Sequence, residues 1–167
     1  SVEETVKKID ELTQRFKSAE SFSECDMTFA QAEGLKSCIE TLTTLAYIRH
    51  TVNIYDEYYA KEQSFIDENM PLLTDALQKM RLAVLESKFR EELEEKYGSL
   101  FFGNEEMSLK TFSPEIIGEL QEENRLTTEY EDILASAQIE FDGKLCTVPQ
   151  LSPYKQCPDD EKRLMAW

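Results

Sequence analysis

The sequence predicts a mainly α fold, an antiparallel array of helices with one small β-hairpin near residues 138–148. Three observations carry this. Apolar residues recur at steps of three and four along most of the chain, which is the spacing of one helix face. Only five Gly and five Pro punctuate 167 residues. The helical rhythm breaks clearly in one stretch, Leu109–Leu151, where Ser113-Pro114-Glu115 starts a helix and Asp142-Gly143 turns a hairpin.

Residues 2–20 place Val2, Val6, Ile9, Leu12, Phe16 and Ala19 on one stripe, with Lys7, Lys8, Glu11 and Arg15 on the wet side. Polar residues from Ser21 to Asp26 interrupt the pattern, and Asp26 is the expected cap of a second helix. That helix carries Phe29, Leu35, Ile39, Leu42, Leu45, Ile48, Val52 and Tyr55, and nothing in the pattern stops it before Met70. Pro71 is expected to stop or kink it, because proline has no N–H and disfavours α geometry in the residue before it. Leu72, Leu73, Ala76, Leu77, Met80, Ala83 and Val84 predict a third helix. A short fourth begins at Ser87, with Phe89 and Leu93 inward and Gly98 as its αL terminator. Leu100, Phe101 and Phe102 form an aromatic corner that needs burial. Gly103-Asn104 then turns the chain into a short helix over Glu105–Lys110.

Ser113 caps the next helix, with Pro114 at its first position and Ile116, Ile117 and Leu120 towards the core. Thr128-x-x-Glu131 reads as a capping box. It divides the region into two helices, the second with Tyr130, Ile133, Leu134 and Ala137 on its inner face. The Asp142-Gly143 turn pairs Phe141 with Lys144, Ile139 with Cys146 and Ala137 with Val148, giving the hairpin one apolar face. A two-stranded ribbon is marginal in water, so helices of this chain or further polypeptide should cover it. Residues 151–155 form a helical turn. Pro158-Asp159-Asp160-Glu161 opens a last helix, which reaches Trp167 mid-pattern with no cap and so reads as part of a longer protein.

The formal charge of −16 argues against nucleic acid and anionic membranes, both of which require concentrated Lys and Arg. It suits a soluble protein and tolerates a cationic peptide. No apolar run approaches the about 20 residues needed to cross a bilayer, and Ser1-Val2-Glu3-Glu4 does not resemble a signal peptide. The four cysteines, Cys25, Cys38, Cys146 and Cys157, form no C-x-x-C pair. They read as reduced thiols in a cytoplasmic protein, with a Cys25–Cys38 or Cys146–Cys157 disulfide as the alternative. The length fits a single helical domain over residues 1–167.

Catalytic signals are few. His50 is the one histidine, so neither H-E-x-x-H nor the paired Glu-x-x-His motifs of a di-iron bundle can form. No phosphate loop and no G-x-S-x-G appear. With 34 acids, close carboxylate pairs arise by chance. One polar constellation stands out: Arg49, His50, Tyr55, Asp56, Tyr58 and Tyr59. It reads as a core-rim helix with satisfied polar groups. It also reads as the wall of a peptide channel, where His50, Tyr55, Tyr58 and Tyr59 hydrogen-bond backbone amides.

Five segments go beyond generic pattern: IRHTVNIYDEYYAKE (48–62), ESKFREELEEKYG (86–98), LKTFSPEIIGELQEENRLTTEY (109–130), ASAQIEFDG (135–143) and VPQLSPYKQCPDDEKR (148–163). In order and spacing they resemble the N-terminal part of the oligoendopeptidase F branch of the thimet-oligopeptidase-like zinc metallopeptidases. Residues 1–47 share only helical character with it. The resemblance implies a considerably longer, almost wholly helical parent enclosing a channel for short peptides. It implies a zinc held by an H-E-x-x-H helix and a later Glu, all C-terminal to this region, so no catalytic or metal role falls on any residue here. Cys157 departs from the Ser or Thr expected at that helix start. The implied partners are the catalytic domain of the same parent chain and a short peptide substrate, with no nucleic acid and no membrane. Dimerisation of the fragment through its uncovered faces is a further expectation. A stand-alone helical adaptor acting through the hairpin or last helix is the alternative function, and a ferritin-like metal protein is disfavoured by the histidine count.

Overall fold

Seven α-helices and one β-hairpin are found among the described residues, 1–111 and 113–167, in a computed structural model. Phe112, within the LKTFSPEII segment, lies outside them. The mainly α class and the single hairpin are as predicted. Helix α1 (Val2–Lys17) opens on a capping box, in which Ser1 Oγ accepts from the Glu4 N–H and the Glu4 carboxylate takes the terminal amine. Its predicted stripe buries Ile9, Leu12 and Phe16.

Helix α2 (Phe22–Val52) starts earlier than predicted, because Ser21, not Asp26, caps it through the Glu24 N–H at 3.3 Å. Asp26 instead sits inside the helix and accepts from Lys96 Nζ at 2.6 Å and the Tyr97 hydroxyl at 2.7 Å. The helix also ends well before Met70. Asn53 accepts from the Tyr55 N–H, and Asp56 accepts from the N–H groups of Tyr58 and Tyr59. Such short side chains offer the backbone an alternative to the helical ladder. Helix α3 (Glu57–Leu85) then continues past Pro71, which lies inside it. The predicted second and third helices are thus divided at Asn53–Asp56 and fused at Pro71.

Helix α4 (Arg90–Tyr97) follows a turn in which Ser87 Oγ accepts from the Phe89 N–H. Gly98 ends it at φ 91°, ψ 148°, a region open essentially to glycine but not the predicted αL conformation. Helix α5 (Ser99–Leu109) includes Gly103-Asn104, so no turn forms there. Successive residues of a helix point about 100° apart. Hence Phe102 is buried and Phe101 half-buried while Leu100 is exposed, and the aromatic corner is only partly covered.

One core joins α1 to α5 through Ile9, Phe16, Phe29, Met80, Leu93 and Phe102. Phe29 meets the edges of Tyr97 and Phe101, with ring centroids 4.8 and 5.7 Å away. Such pairs add about 0.5–1.5 kcal/mol each beyond burial.

Ser113 and Pro114 open the next segment as predicted, but into a 3₁₀ turn (Pro114–Ile116) that leads to helix α6 (Ile117–Ser136). Thr128 caps nothing: its hydroxyl donates to Asp67 Oδ2 at 2.8 Å, so one helix replaces the predicted two. Nor is the assigned inner face inner. Ile116, Tyr130, Ile133 and Leu134 are exposed, and α6 buries no residue fully.

Strands β1 (Ile139–Phe141) and β2 (Lys144–Cys146) pair in the predicted register. Asp142 at φ 51° and Gly143 at φ 73° supply the two positive φ values of a type I′ turn. Pairing stops short of Ala137 and Val148, because Ala137 is the C-cap of α6. Two 3₁₀ turns (Pro149–Leu151 and Tyr154–Gln156) and helix α7 (Asp160–Ala166) follow. Leu151, Tyr154 and Ala166 bury Phe141 and Cys146 in a second, smaller core, so the chain covers part of its own hairpin and leaves Ile139 and Leu145 exposed. Asp159 caps α7 through the Glu161 and Lys162 N–H groups, which makes the residue type at Cys157 immaterial to that cap. The four thiols are unpaired, and no described helix is long and apolar enough to cross a membrane.

Candidate functional site

The break at Asn53–Asp56 brings the predicted constellation to one end of the array. It does not bring its members to one surface. His50, in the last turn of α2, is only 3 % exposed. Its Nε2 lies 3.0 Å from Asp132 Oδ1 of α6, and its Nδ1 has no partner. His50 therefore ties two elements together from a buried position. Arg49 lies over the Tyr59 ring, 5.4 Å from its centroid, and Tyr58 packs edge-on to Tyr59 at 5.1 Å. The Tyr58 hydroxyl donates to Glu62 Oε1 at 2.9 Å, and this bond with the Glu62 charge pushes the phenol pKa up. Tyr58 thus spends its hydroxyl on its own helix, on an exposed face. Asp56 is spent on capping α3.

Tyr55 is the candidate that reaches a cavity. It is 76 % exposed and lines, with Ile54, a groove of about 1030 Å³ between α3 and α6. Asp67, Glu68, Glu122, Glu129 and Asp132 give the groove an acidic wall. Among the described residues Arg125 is the one cation lining it, and Glu122 at 2.7 Å and Glu129 at 2.9 Å pair with it. The bonds to these carboxylates raise the pKa of Arg125, and the bond from Arg125 lowers that of Glu122. The groove is suited to hold an extended, basic segment. Nothing in it resembles a nucleophile with its base.

The residues that fix this geometry escaped the sequence reading. Gln121, Asn124, Thr128 and Asp132 are spaced by three and four, so they form one polar stripe on α6. All four bond to α2 or α3: Gln121 to the Glu68 carbonyl, Asn124 to the Asp67 carbonyl, Thr128 to the Asp67 carboxylate and Asp132 to His50. Apolar periodicity does not search for such a stripe.

The donor set does not fit a zinc ion. The single imidazole is occupied by Asp132, and among the described residues no three His, Cys, Asp or Glu side chains converge.

Residues 1–112 match the family model described as the peptidase M3 N-terminal domain. Among solved structures, the chain is similar to PZ peptidase A with inhibitor 2, at 36 % identity and a TM-score of 0.93, over 99 % of this chain and 30 % of that one. It is similar to a Bacillus anthracis (strain Ames) protein assigned as an oligoendopeptidase F, at 36 % identity and TM-score 0.93, over 99 % and 30 %. A further oligoendopeptidase F assignment, at 34 % identity and TM-score 0.93, is covered over 29 % of its length. The chain therefore spans under a third of the length of these structures. Among curated proteins none matches.

Proposed function

The chain belongs to the peptidase M3 family through its N-terminal domain, and on that premise we propose that it is the N-terminal helical domain of a zinc-dependent oligoendopeptidase. Its role is to form one wall of the channel in which short peptides are hydrolysed. The supporting observation is similarity along 99 % of the chain to a PZ peptidase A solved with an inhibitor. The acidic α3–α6 groove, open at Tyr55, is a physically suitable lining for extended peptides. The zinc and its ligands belong to the remaining, catalytic portion of the parent chain, since no residues here suit them. The domain alone is inactive, and the protein acts in the cytoplasm. The net charge of −16 attracts basic peptides over a distance set by ionic strength.

The experiment is an assay of the purified chain, and of the longer chain encoded with it, against a quenched short peptide with and without zinc. Turnover is expected only from the longer chain. Zinc-dependent turnover by residues 1–167 alone would overturn the proposal. A second reading, a helical adaptor without activity, is favoured by the exposed Leu145, Leu164, Met165 and Trp167 of the hairpin and α7. A reading frame that continues beyond Trp167 into H-E-x-x-H rejects the adaptor, and a stop codon there rejects the peptidase.

A further inference from the structure

Helix α6 is mounted with its amphipathicity reversed. Its inward side is the polar stripe Gln121, Asn124, Thr128 and Asp132, every member of which bonds to α2 or α3. Four of its apolar residues, Leu126, Tyr130, Ile133 and Leu134, repeat at helical spacing on the outer side, while Ile117 and Leu120 at its start are half-buried. The four outer residues are 50, 62, 60 and 42 % exposed. A surface helix ordinarily turns its apolar face to the core and its polar face to water. Here water meets an apolar stripe along a helix that contributes nothing fully buried to either core. The polar bonds fix the helix in this orientation, so rolling the stripe inward would break all four of them. Contiguous apolar surface of this kind marks a docking site.

We infer that the Leu126–Tyr130–Ile133–Leu134 stripe is an intramolecular interface, covered by the C-terminal catalytic portion of the parent chain. The inference rests on the reading under Proposed function. The occupant follows from length: the similar structures have more than two thirds of their chains outside the matched region, at identities of 34–36 % and TM-scores of 0.93 over this part. The polar bonding of α6 to α3 fits this arrangement. It holds the helix firmly enough to present an apolar surface to a second lobe, while the acidic groove beside it stays open at Tyr55. The channel wall and the lobe contact are then adjoining sides of one helix, with Ile133 at the edge they share.

The test places a thiol on the stripe. Leu126→Cys and, separately, Tyr130→Cys, both outside the groove, are made in the 167-residue chain and in the full-length parent. Maleimide modification at that position is followed by peptide mass spectrometry, with each rate divided by its value in denaturant. Both positions are exposed here, so the variants should fold. The expected result is rapid modification in the short chain and on the order of tenfold or greater slowing in the parent. Equal rates in an active parent would overturn this inference and leave the peptidase reading standing. Concentration-dependent protection in the short chain, with dimers in sedimentation and no protection in the parent, would overturn it in favour of a second copy. A reading frame ending at Trp167 would overturn both.

Discussion

Asn124 donates its side-chain amide to the carbonyl of Asp67 at 3.2 Å. This is the carbonyl that Pro71, four residues on in α3, cannot serve, because proline has no N–H. Next to it, Gln121 donates to the Glu68 carbonyl at 2.6 Å. The proline and the helix beside it are thus complementary: α3 stays continuous where its own ladder lacks a donor, and α6 gains an anchor. The same turn of α3 supplies the Asp67 carboxylate, which accepts from Gln63 and Thr128, both at 2.8 Å. A proline within α3 becomes the point on which a later helix is seated.

Asn124→Ala should therefore destabilise the chain by about 1–2 kcal/mol, because it leaves a part-buried carbonyl without a partner. In a Pro71→Ala background, residue 71 can donate to Asp67 and the loss should shrink by at least about 0.5 kcal/mol, a measurable coupling. Urea unfolding of the two single variants and the double variant gives this energy. Additive effects would show that Asn124 does not compensate for the proline.

The His50–Asp132 pair should be the second anchor of α6. Asp132→Ala leaves the buried imidazole with no partner on either nitrogen. The expected cost is about 1–3 kcal/mol, with faster hydrogen exchange in residues 128–136. Tyr55→Ala, at an exposed side chain, should change stability by under about 0.5 kcal/mol. On the proposed reading of the groove as a channel wall, Tyr55→Ala in the longer chain should raise KM for short peptides with kcat nearly unchanged, since a group that only binds contributes nothing to the chemical step. An unchanged KM would remove Tyr55 from the wall.

Legibility in the sequence followed the range of the interactions. The stripe of α1, the Asp142-Gly143 turn and the strand register are decided within a few residues, and the structure has them as read. Pro71 was misread because its compensation comes from Asn124, which is distant in sequence. Thr128 was misread because its hydroxyl has a long-range partner, and a local cap motif cannot register that. The division at Asn53–Asp56 was visible in principle, since Asn and Asp so close together favour local bonds to the backbone. The uninterrupted apolar step across Val52 and Tyr55 hid it, and those two residues are exposed. Apolar periodicity locates helices but not their neighbours. In α6 the side predicted to face inward, with Tyr130, Ile133 and Leu134, faces outward, and in α2 the apolar step reaches the core at Phe29, Leu35 and Ile39 but leaves Leu42, Leu45, Ile48 and Val52 exposed. The groove was invisible for the same reason, being made by polar residues of helices far apart in the chain.

Two carboxylates should respond to acid with opposite signs. Burial pushes the pKa of Glu33 up, with Glu105 and Glu40 adding to it against Lys36. The folded state then binds the Glu33 proton more tightly than the unfolded state. The resulting penalty is present above the folded pKa and fades as pH falls towards the unfolded value near 4. Hydrogen bonds from Lys96 and Tyr97 hold Asp26 below the ordinary range. Its stabilisation is present above the unfolded pKa of about 4 and is lost as pH falls through the folded one. Glu33→Gln should raise the urea midpoint at pH 7 and lose that advantage near pH 4. Asp26→Asn should lower the midpoint at pH 7 and lose its deficit at still lower pH. Parallel pH profiles for the two variants would contradict this assignment.

Three glycines separate backbone need from mere presence. Gly98 sits at φ 91° between α4 and α5, where any Cβ is strained although no atom lies within 4 Å of it. Gly98→Ala should cost about 1–3 kcal/mol and loosen the junction that directs Phe102 into the core. Gly34 and Gly103 lie inside α2 and α5, also with nothing within 4 Å of an added Cβ, and neither has a positive φ. Alanine there removes only the entropic penalty of glycine in a helix. Each substitution should stabilise the chain by about 0.5–1 kcal/mol. The combined Gly34→Ala, Gly103→Ala variant should gain close to the sum, since the two sites lie in different helices and an added Cβ at either meets nothing within 4 Å. Thermal unfolding of the four proteins checks the signs. A gain at Gly98, or a loss at Gly103, would show that the α4–α5 junction is not the fixed corner its backbone angles describe.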